Sequence, residues 1–392
     1  MKIGINASFA RKSDSGMGQV TVNFLKTLGK VADSKDEFFI YLEEDLNFKL
    51  PRNFRKKIIK PFYKRDDLIR KIYWEKFLLP MEAQRDRCQV FFSLYQSPTI
   101  MKRIPHMMLV HDAILKIFPW YINNFRKKVY YKKIDKGIEA ADKIMTVSKH
   151  SKLDIVRLYN KKEKEVVANH EDCDPIFKKR VALKEINKTL RKFKLKAKNY
   201  IFYVGGFDMR KNVNGLIQAY GILWSEYKNK KDCPDLALAG KFNSHLVPVV
   251  TDIEAEIDNV RCKFGIPRNK FKLLGFVEQS NLPALYRGAS LFCFPSLYEG
   301  FGLPVLEAFN SECSVVTSTN SSLKEMARKK NAFIFDLESD KNLAEKISEG
   351  LRKHKMRERK IIQAKKDAEK FNWETFVKNV LKELKKLNKK ND

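Results

Sequence analysis

The strongest constraint in this sequence is the alternation of short apolar segments with longer stretches of helical spacing. "KIGINA", "FFIYL" (38–42), "VFFSL" (90–94), "HMMLVHD" (106–112) and "KIMTV" (143–147) read as buried strands. Between them, "QVTVNFLKTLGKV" and "IRKIYWEKFLLPMEAQR" (69–85) carry helical periodicity, and Ser148 is placed to cap the helix after the fifth strand. A lysine-rich, strand-poor segment follows, "KKRVALKEINKTLRKFKLKAKN". A second series then runs through "YIFYVGG", "DLALAG", "FKLLGF", "LFCFPS", "SVVTS" and "AFIFD". Strands alternating with helices build parallel sheet from βαβ units. The expected fold class is therefore α/β with two Rossmann-like domains. The expected boundaries are 1–177, a connector at 178–199, 200–370, and a basic amphipathic helix at 371–392.

Composition narrows the function classes. At 392 residues, 44% hydrophobic and 12% aromatic, the chain is long enough for two cores and too apolar for disorder. Its formal net charge of +31 favours an anionic partner, whether nucleic acid, an anionic membrane face or a phosphorylated substrate. Lysines simply held in water would give the same number. The six cysteines form no CxxC pair, which argues against a zinc site and for reduced thiols in a cytosolic compartment. The opening "MKIGINASFARKSDSGMG" reads as strand and loop, not as a signal peptide, and no apolar run reaches membrane-spanning length.

Three loops leave the carboxyl end of an expected strand and enter a helix, the place where open α/β sheets bind ligands. They are "SDSGMGQ" (13–19), "GGFDMRKN" (205–212) and "YEGFGLP" (298–304). In the second, Gly205 and Gly206 allow a tight turn, and Arg210 and Lys211 bring two cations to a helix start. Cations there oppose the helix dipole, and a diphosphate between them would reverse the sign. In the third, Gly300 and Gly302 form the turn, Pro304 suits the first helical position, and Glu307 is expected in the first turn. Taken singly, Glu307 is a helix-stabilising acid and Glu299 a solvated turn residue. Taken together, two carboxylates flanking the amides of 301–303 suit a polyhydroxylated ligand.

"EGFGLPVLE" resembles the E-x7-E motif of retaining GT-B glycosyltransferases of family 4, and "YVGGFDMRKNVNGLIQAY" resembles their phosphate-binding loop. "LVHDAILKIFP", "ADKIMTVSKHSKLDI", "LLGFVEQSNLPALYRGASLFCFPS" and "FNWETF" extend the likeness in order along nearly the whole chain. The resemblance implies a GT-B fold, with the two domains facing across a cleft and the C-terminal helix crossing back. It implies retaining, metal-independent transfer of a hexose from a nucleotide diphosphate sugar such as GDP-mannose. The acceptor would be a saccharide or lipid-linked saccharide in cell-surface glycan synthesis.

Residue by residue, the resemblance assigns Glu307 to the nucleotide ribose, and Glu299 with the amides of Phe301, Gly302 and Leu303 to the donor sugar. Arg210 and Lys211, with Gly205 and Gly206, fall to the diphosphate. Gly16 and Gly18 fall to the phosphates or acceptor, and Phe276 and Val277 to the base. His111 and Asp112 are placed beside the reacting sugar, although His111 alone reads more readily as a satisfied core histidine at a strand end. No cofactor beyond the donor is implied and no metal; "DCD" (172–174) reads as a structural turn. The chain departs from the pattern at Gly206, where an arginine is common, at His170, where glycine is common, and in "MARKKN" after Glu325.

Two other classes fit less well. A non-enzymatic nucleic-acid-binding protein would explain the charge, but no RNP-like, helix-turn-helix or zinc-finger signature is present. An oxidoreductase would need GxGxxG after the first strand, and "SGMGQV" offers only Gly-x-Gly. The expected location is cytoplasmic. The basic tail "KNVLKELKKLNKK" raises a peripheral position on an anionic membrane surface as an addition to it.

Overall fold

A computed structural model of the chain describes residues 1–13, 15–60, 68–241, 249–337 and 339–389. Within these residues the alternation yields two parallel sheets, each in its own compact unit: Met1–Asp172 with Phe371–Asp392, and Cys173–Lys370.

The first unit carries β1 (Lys2–Asn6), β2 (Glu37–Leu42), β3 (Phe54–Ile58), β4 (Val90–Ser93), β5 (His106–Leu109), β6 (Lys143–Thr146) and β7 (Val166–Ala168). Their spatial order is β3-β2-β1-β4-β5-β6-β7, parallel throughout. The central strands are buried along nearly their whole length, as expected where helices cover both faces. The helices are α1 (Gly16–Val31), α2 (Leu68–Tyr73), α3 (Leu79–Arg85), α4 (Ile114–Ile117), α5 (Phe125–Ala140) and α6 (Lys149–Leu158). Ser148 caps α6 as its sequence suggests, accepting the Ser151 N–H at 3.0 Å.

Two strands go beyond the sequence expectation. In β3, "FRKKI", only Phe54 is buried, because an edge strand gives its other side chains to water. The other, β7, is only "VVA". The helical segment expected at 69–85 also has an internal irregularity: Trp74–Leu78 forms a π turn between α2 and α3, with the Leu79 N–H bonded to the Trp74 carbonyl. Pro80, which has no N–H to donate, sits at the start of α3 directly after it.

The second unit carries β8 (Tyr200–Val204), β9 (Asp235–Ala239), β10 (Phe271–Gly275), β11 (Leu291–Phe294), β12 (Val315–Thr317) and β13 (Phe333–Ile334), in the order β10-β9-β8-β11-β12-β13. Its helices are α7 (Leu183–Lys192), α8 (Val213–Glu226), α9 (Ile253–Phe264), α10 (Leu282–Gly288), α11 (Leu303–Asn310), α12 (Asp340–Arg352) and α13 (His354–Ala368). The segment expected as a connector belongs to this unit, because α7 packs on α10. Residues 173–177, expected with the first domain, belong here too. Phe177 packs edge-on to Tyr286 at 5.9 Å, and Asn310 Nδ2 reaches Cys173 Sγ at 3.4 Å.

The final helix α14 (Trp373–Asn388) returns to the first unit and packs along α1. Trp373, Phe376, Val377, Val380 and Leu384 are buried, Phe376 meets Phe24 edge-on at 6.3 Å, and Asn169 Nδ2 donates to the Phe376 carbonyl at 3.0 Å. Its lysines line the opposite side. Among the described residues no helix is long and apolar enough to cross a membrane.

Because α14 supplies core to the first unit, Phe376→Ala should destabilise that unit by about 3–5 kcal/mol. Lys382→Ala should change it by less than about 0.5 kcal/mol. Urea unfolding followed by first-unit tryptophan fluorescence measures both, and equal effects of the two substitutions would refute the packing role.

Candidate active site

In the second unit, β8 and β11 are parallel neighbours, so the loops that leave them emerge at the same edge. After β8 the chain makes one turn, Met209–Lys211. Asn212, in the left-handed region at φ 51°, then redirects it into α8. The loop after β11 lies against this turn. The Leu297 N–H donates to the Arg210 carbonyl at 2.8 Å, and Arg210 Nη1 donates to the Tyr298 carbonyl at 2.5 Å.

This contact gathers three of the charged residues that the sequence singled out, Arg210, Lys211 and Glu299. Glu299 Oε1 accepts from Lys211 Nζ at 2.6 Å and from Ser296 Oγ at 2.5 Å, and lies 3.0 Å from Arg210 Nη1. Asp208 is a further partner of Arg210 at 3.5 Å. Glu299 is only 7% exposed, which replaces the expectation of a solvated turn residue. Burial alone would raise its pKa, but Lys211, Arg210 and the Ser296 hydroxyl together hold it below the ordinary carboxylate range. Burial draws Lys211 the other way, below the usual lysine range, against the pull of Glu299. The cations at the start of α8 are thus neutralised by a carboxylate from the next loop.

The glycine turn is held as firmly. Glu299 N–H donates to Ser321 Oγ at 2.8 Å, and Ser322 Oγ donates to the carbonyls of Glu299 and Phe301, each at 2.9 Å. Gly302 adopts φ 104°, a conformation that favours glycine, and a Cβ there would also come within 2.6 Å of Leu323 Cδ2 and push that side chain aside. It caps α11, which starts at Leu303 with Pro304 in its first two positions. Phe301 is buried beside Gly302, and Leu303 is partly exposed.

Glu307 differs from expectation. It is the fifth residue of α11, past the first turn, so the dipole argument does not apply to it. It is instead buried, with the Tyr286 hydroxyl donating to Oε2 at 2.9 Å. Burial raises its carboxyl to about 7 despite that bond. Gly205 N–H donates to the Ala239 carbonyl, and the Gly206 carbonyl accepts from Tyr203 at 2.5 Å, which fixes the start of the β8 loop. Beyond β10, Phe276 is 46% exposed with Lys241 Nζ 4.3 Å from its ring centre, and Val277 is buried.

In the first unit, Gly16 opens α1 with free space where a side chain would stand. A Cβ on Gly18 would meet the Lys12 carbonyl at 1.8 Å, so this glycine is required by the fold of its own loop. His111 and Asp112 follow β5. The His111 N–H donates to Gln96 Oε1 at 3.1 Å, and Asp112 Oδ1 accepts the Ile114 N–H at 3.0 Å. His111 Nδ1 stands 3.9 Å from Glu171 Oε2. Burial lowers the ring to about 4, opposed by a backbone hydrogen bond with Leu94, while burial and Asp172 raise Glu171 to about 8. Both are uncharged near neutral pH, so this approach is not an ion pair. In the "DCD" turn, Asp174 accepts the Ile176 N–H at 2.9 Å, a capping role.

Sequence reasoning passed over Ser296, Tyr286, Glu171, Ser321 and Ser322. Ser296, in the quoted "LFCFPS", was visible at a strand end. Nothing local marks Tyr286 or Glu171, whose partners are distant in sequence.

Residues 186–367, which include the β8 and β11 loops, match the family model described as Glycosyl transferases group 1. The second unit thus carries a group 1 glycosyltransferase domain. This glycosyltransferase is 28% identical to O-antigen chain mannosyltransferase B of Escherichia coli over 75% of its own length and 74% of that protein. A stretch of 127 residues is 32% identical to the serotype-specific mannosyltransferase WbdA of Escherichia coli, but spans only 14% of it. Its fold matches the structure of Anabaena HepE in complex with UDP and glucose at a TM-score of 0.71, with 16% identity, covering 98% of this chain and 100% of that one. The two parallel sheets are thus those of the GT-B fold, and the non-enzymatic nucleic-acid reading is set aside.

The Glu307 environment has a pH signature. Its carboxyl titrates near 7 in the folded protein against an ordinary 4.5, so between these values the folded state holds a proton that the unfolded chain has lost. Its contribution to stability therefore falls as pH rises from 4.5 to about 7 and is level above. Glu307→Gln keeps the Tyr286 acceptor and should remove this slope from urea unfolding of the second unit; an unchanged slope would refute the assignment.

Proposed function

We propose that this glycosyltransferase moves a hexose, mannose before others, from a nucleotide diphosphate sugar such as GDP-mannose to a saccharide or lipid-linked saccharide acceptor. It does so with retention of anomeric configuration and without metal, as a family 4 enzyme in cell-surface glycan synthesis. The mannosyl assignment is supported by the likeness to O-antigen chain mannosyltransferase B, and the nucleotide sugar by the UDP and glucose bound in the HepE structure.

The observation that carries the reading is the buried set of Arg210 and Lys211 around Glu299. Departure of a nucleoside diphosphate develops negative charge, and two cations held on a rigid turn stabilise it without moving. A diphosphate competes with Glu299 for them. As it takes over their charge, the carboxylate is released to accept hydroxyl hydrogen bonds from the sugar. Glu299 then serves as an acceptor for the sugar hydroxyls, still held at Oε1 by the Ser296 hydroxyl. That favours same-face attack through an oxocarbenium-like transition state over a covalent glycosyl-enzyme. Gly205 and Gly206 shape the diphosphate loop, Phe301, Gly302 and Leu303 face their amides to the sugar, and Glu307 takes the ribose. Phe276 and Val277 take the base. From the first unit, His111 and Asp112 serve the reacting sugar, and Gly16 and Gly18 the phosphates or acceptor. The enzyme would work in the cytoplasm, at the inner face of the membrane.

Thermal shift against UDP-, GDP-, ADP- and dTDP-sugars should single out GDP-mannose, and transfer should persist in chelator. NMR of the early product should show the anomeric configuration of the donor. Lys211→Ala and Glu299→Ala should each lower kcat/KM by about 10²–10³. Wild-type rates in either variant would overturn the site.

A further inference from the structure

The segment α2, π turn and α3 buries one side and exposes the other in an unusual way. Trp74, Leu79 and Ala83 enter the core with Phe39, Tyr41 and Phe91. Ile69, Tyr73, Phe77 and Met81, spaced four residues apart, are 66%, 44%, 55% and 53% exposed. The Tyr73 and Phe77 rings lie 6.1 Å apart, so the row is continuous at its centre.

At 3.6 residues per turn, a four-residue spacing drifts around a helix by about 40° per step. Three steps would carry Met81 well away from Ile69. The π turn at Trp74–Leu78 takes more residues per revolution and reverses part of that drift. The irregularity therefore keeps large apolar side chains along one outward strip. A run of exposed apolar side chains of this size marks a contact surface.

The charges around the strip indicate what it contacts. Lys76 and Arg85 are exposed beside it. The acids of the same segment are engaged: Glu75 is buried between the Tyr95 and Tyr130 hydroxyls, Asp86 is bound by Lys57 and Tyr41, and the largely buried Glu82 pairs with Arg85 at 3.7 Å, which leaves Lys76 as the cation the segment's own acids do not offset. The outward face is thus apolar and positive. A second copy of this chain, itself at +31, would bring like charge to like charge. An anionic bilayer surface accepts both features: aromatic rings settle at the headgroup level, and lysine and arginine are drawn to acidic lipids. The tail helix offers no such face, because its apolar side is already in the core.

We propose that Ile69, Tyr73, Phe77 and Met81, flanked by Lys76 and Arg85, form the face by which this protein docks on an anionic phospholipid surface. This rests on the peripheral-membrane reading above and names the surface that serves it; it does not depend on the donor or the linkage.

The test is co-sedimentation of the full-length protein with vesicles of phosphatidylcholine alone and with roughly one-third phosphatidylglycerol. Binding is expected only to the anionic vesicles, weakening as salt rises. Tyr73→Ser/Phe77→Ser should weaken it by about tenfold or more, and Lys76→Glu/Arg85→Glu should steepen its loss with salt. Transfer to a water-soluble acceptor should be unchanged in both, since the strip lies outside the proposed site. Wild-type binding by the Tyr73/Phe77 variant would overturn the face while leaving the peripheral reading intact. Absence of wild-type binding would overturn both. A wild-type dimer that the same variant dissociates, without vesicle binding, would reassign the strip to self-association.

Discussion

The loop edge of the second unit, where β8 and β11 end, is organised around a single oxygen, Glu299 Oε1, which serves two cations and a serine hydroxyl. A buried carboxylate survives only where such partners meet it. To bring them together, the β8 turn and the β11 loop must lie against one another, and parallel pairing of their strands places both at one edge. The left-handed Asn212 and Gly302, the Ser321 and Ser322 bonds, and the backbone bond from Leu297 to Arg210 all hold that meeting in place.

Three buried acids show how position sets protonation. Glu299, facing two cations, keeps its charge. Glu307 has one phenol for company and sits near the neutral point. Glu171, beside an uncharged imidazole and the like charge of Asp172, holds its proton past it. The two states differ chemically: an ionised carboxylate accepts hydrogen bonds only, and a protonated one also donates. The spacing of Glu299 and Glu307 in the sequence says that they belong together, but not that their charges differ.

What was legible followed from local pattern. The strands with continuous apolar runs and the α6 cap at Ser148 rest on residues close in sequence, whereas the pairing of Arg210 and Lys211 with Glu299 joins residues 88 apart or nearly so. What was not legible depended on distant partners. The edge strand β3 carries lysines because only one face touches the core. The first-turn position expected for Glu307 failed because α11 begins at Leu303, set by Gly302 against Leu323, twenty-one residues on. Residues 178–199 looked like a connector because their lysines are solvated, while Thr189 and Leu190 are buried.

The placement of α14 also orders events during synthesis. The second unit is one contiguous stretch, Cys173–Lys370, whereas the first is split around it. A ribosome therefore releases every residue of the second unit before it releases Trp373, Phe376 or Val380, which complete the core of the first. Chains fold as their segments emerge. The half made first must wait, its α1 groove open, while the half made second closes. For that interval Phe24 has Phe92 on one side and lacks the Phe376 ring that α14 brings to the other.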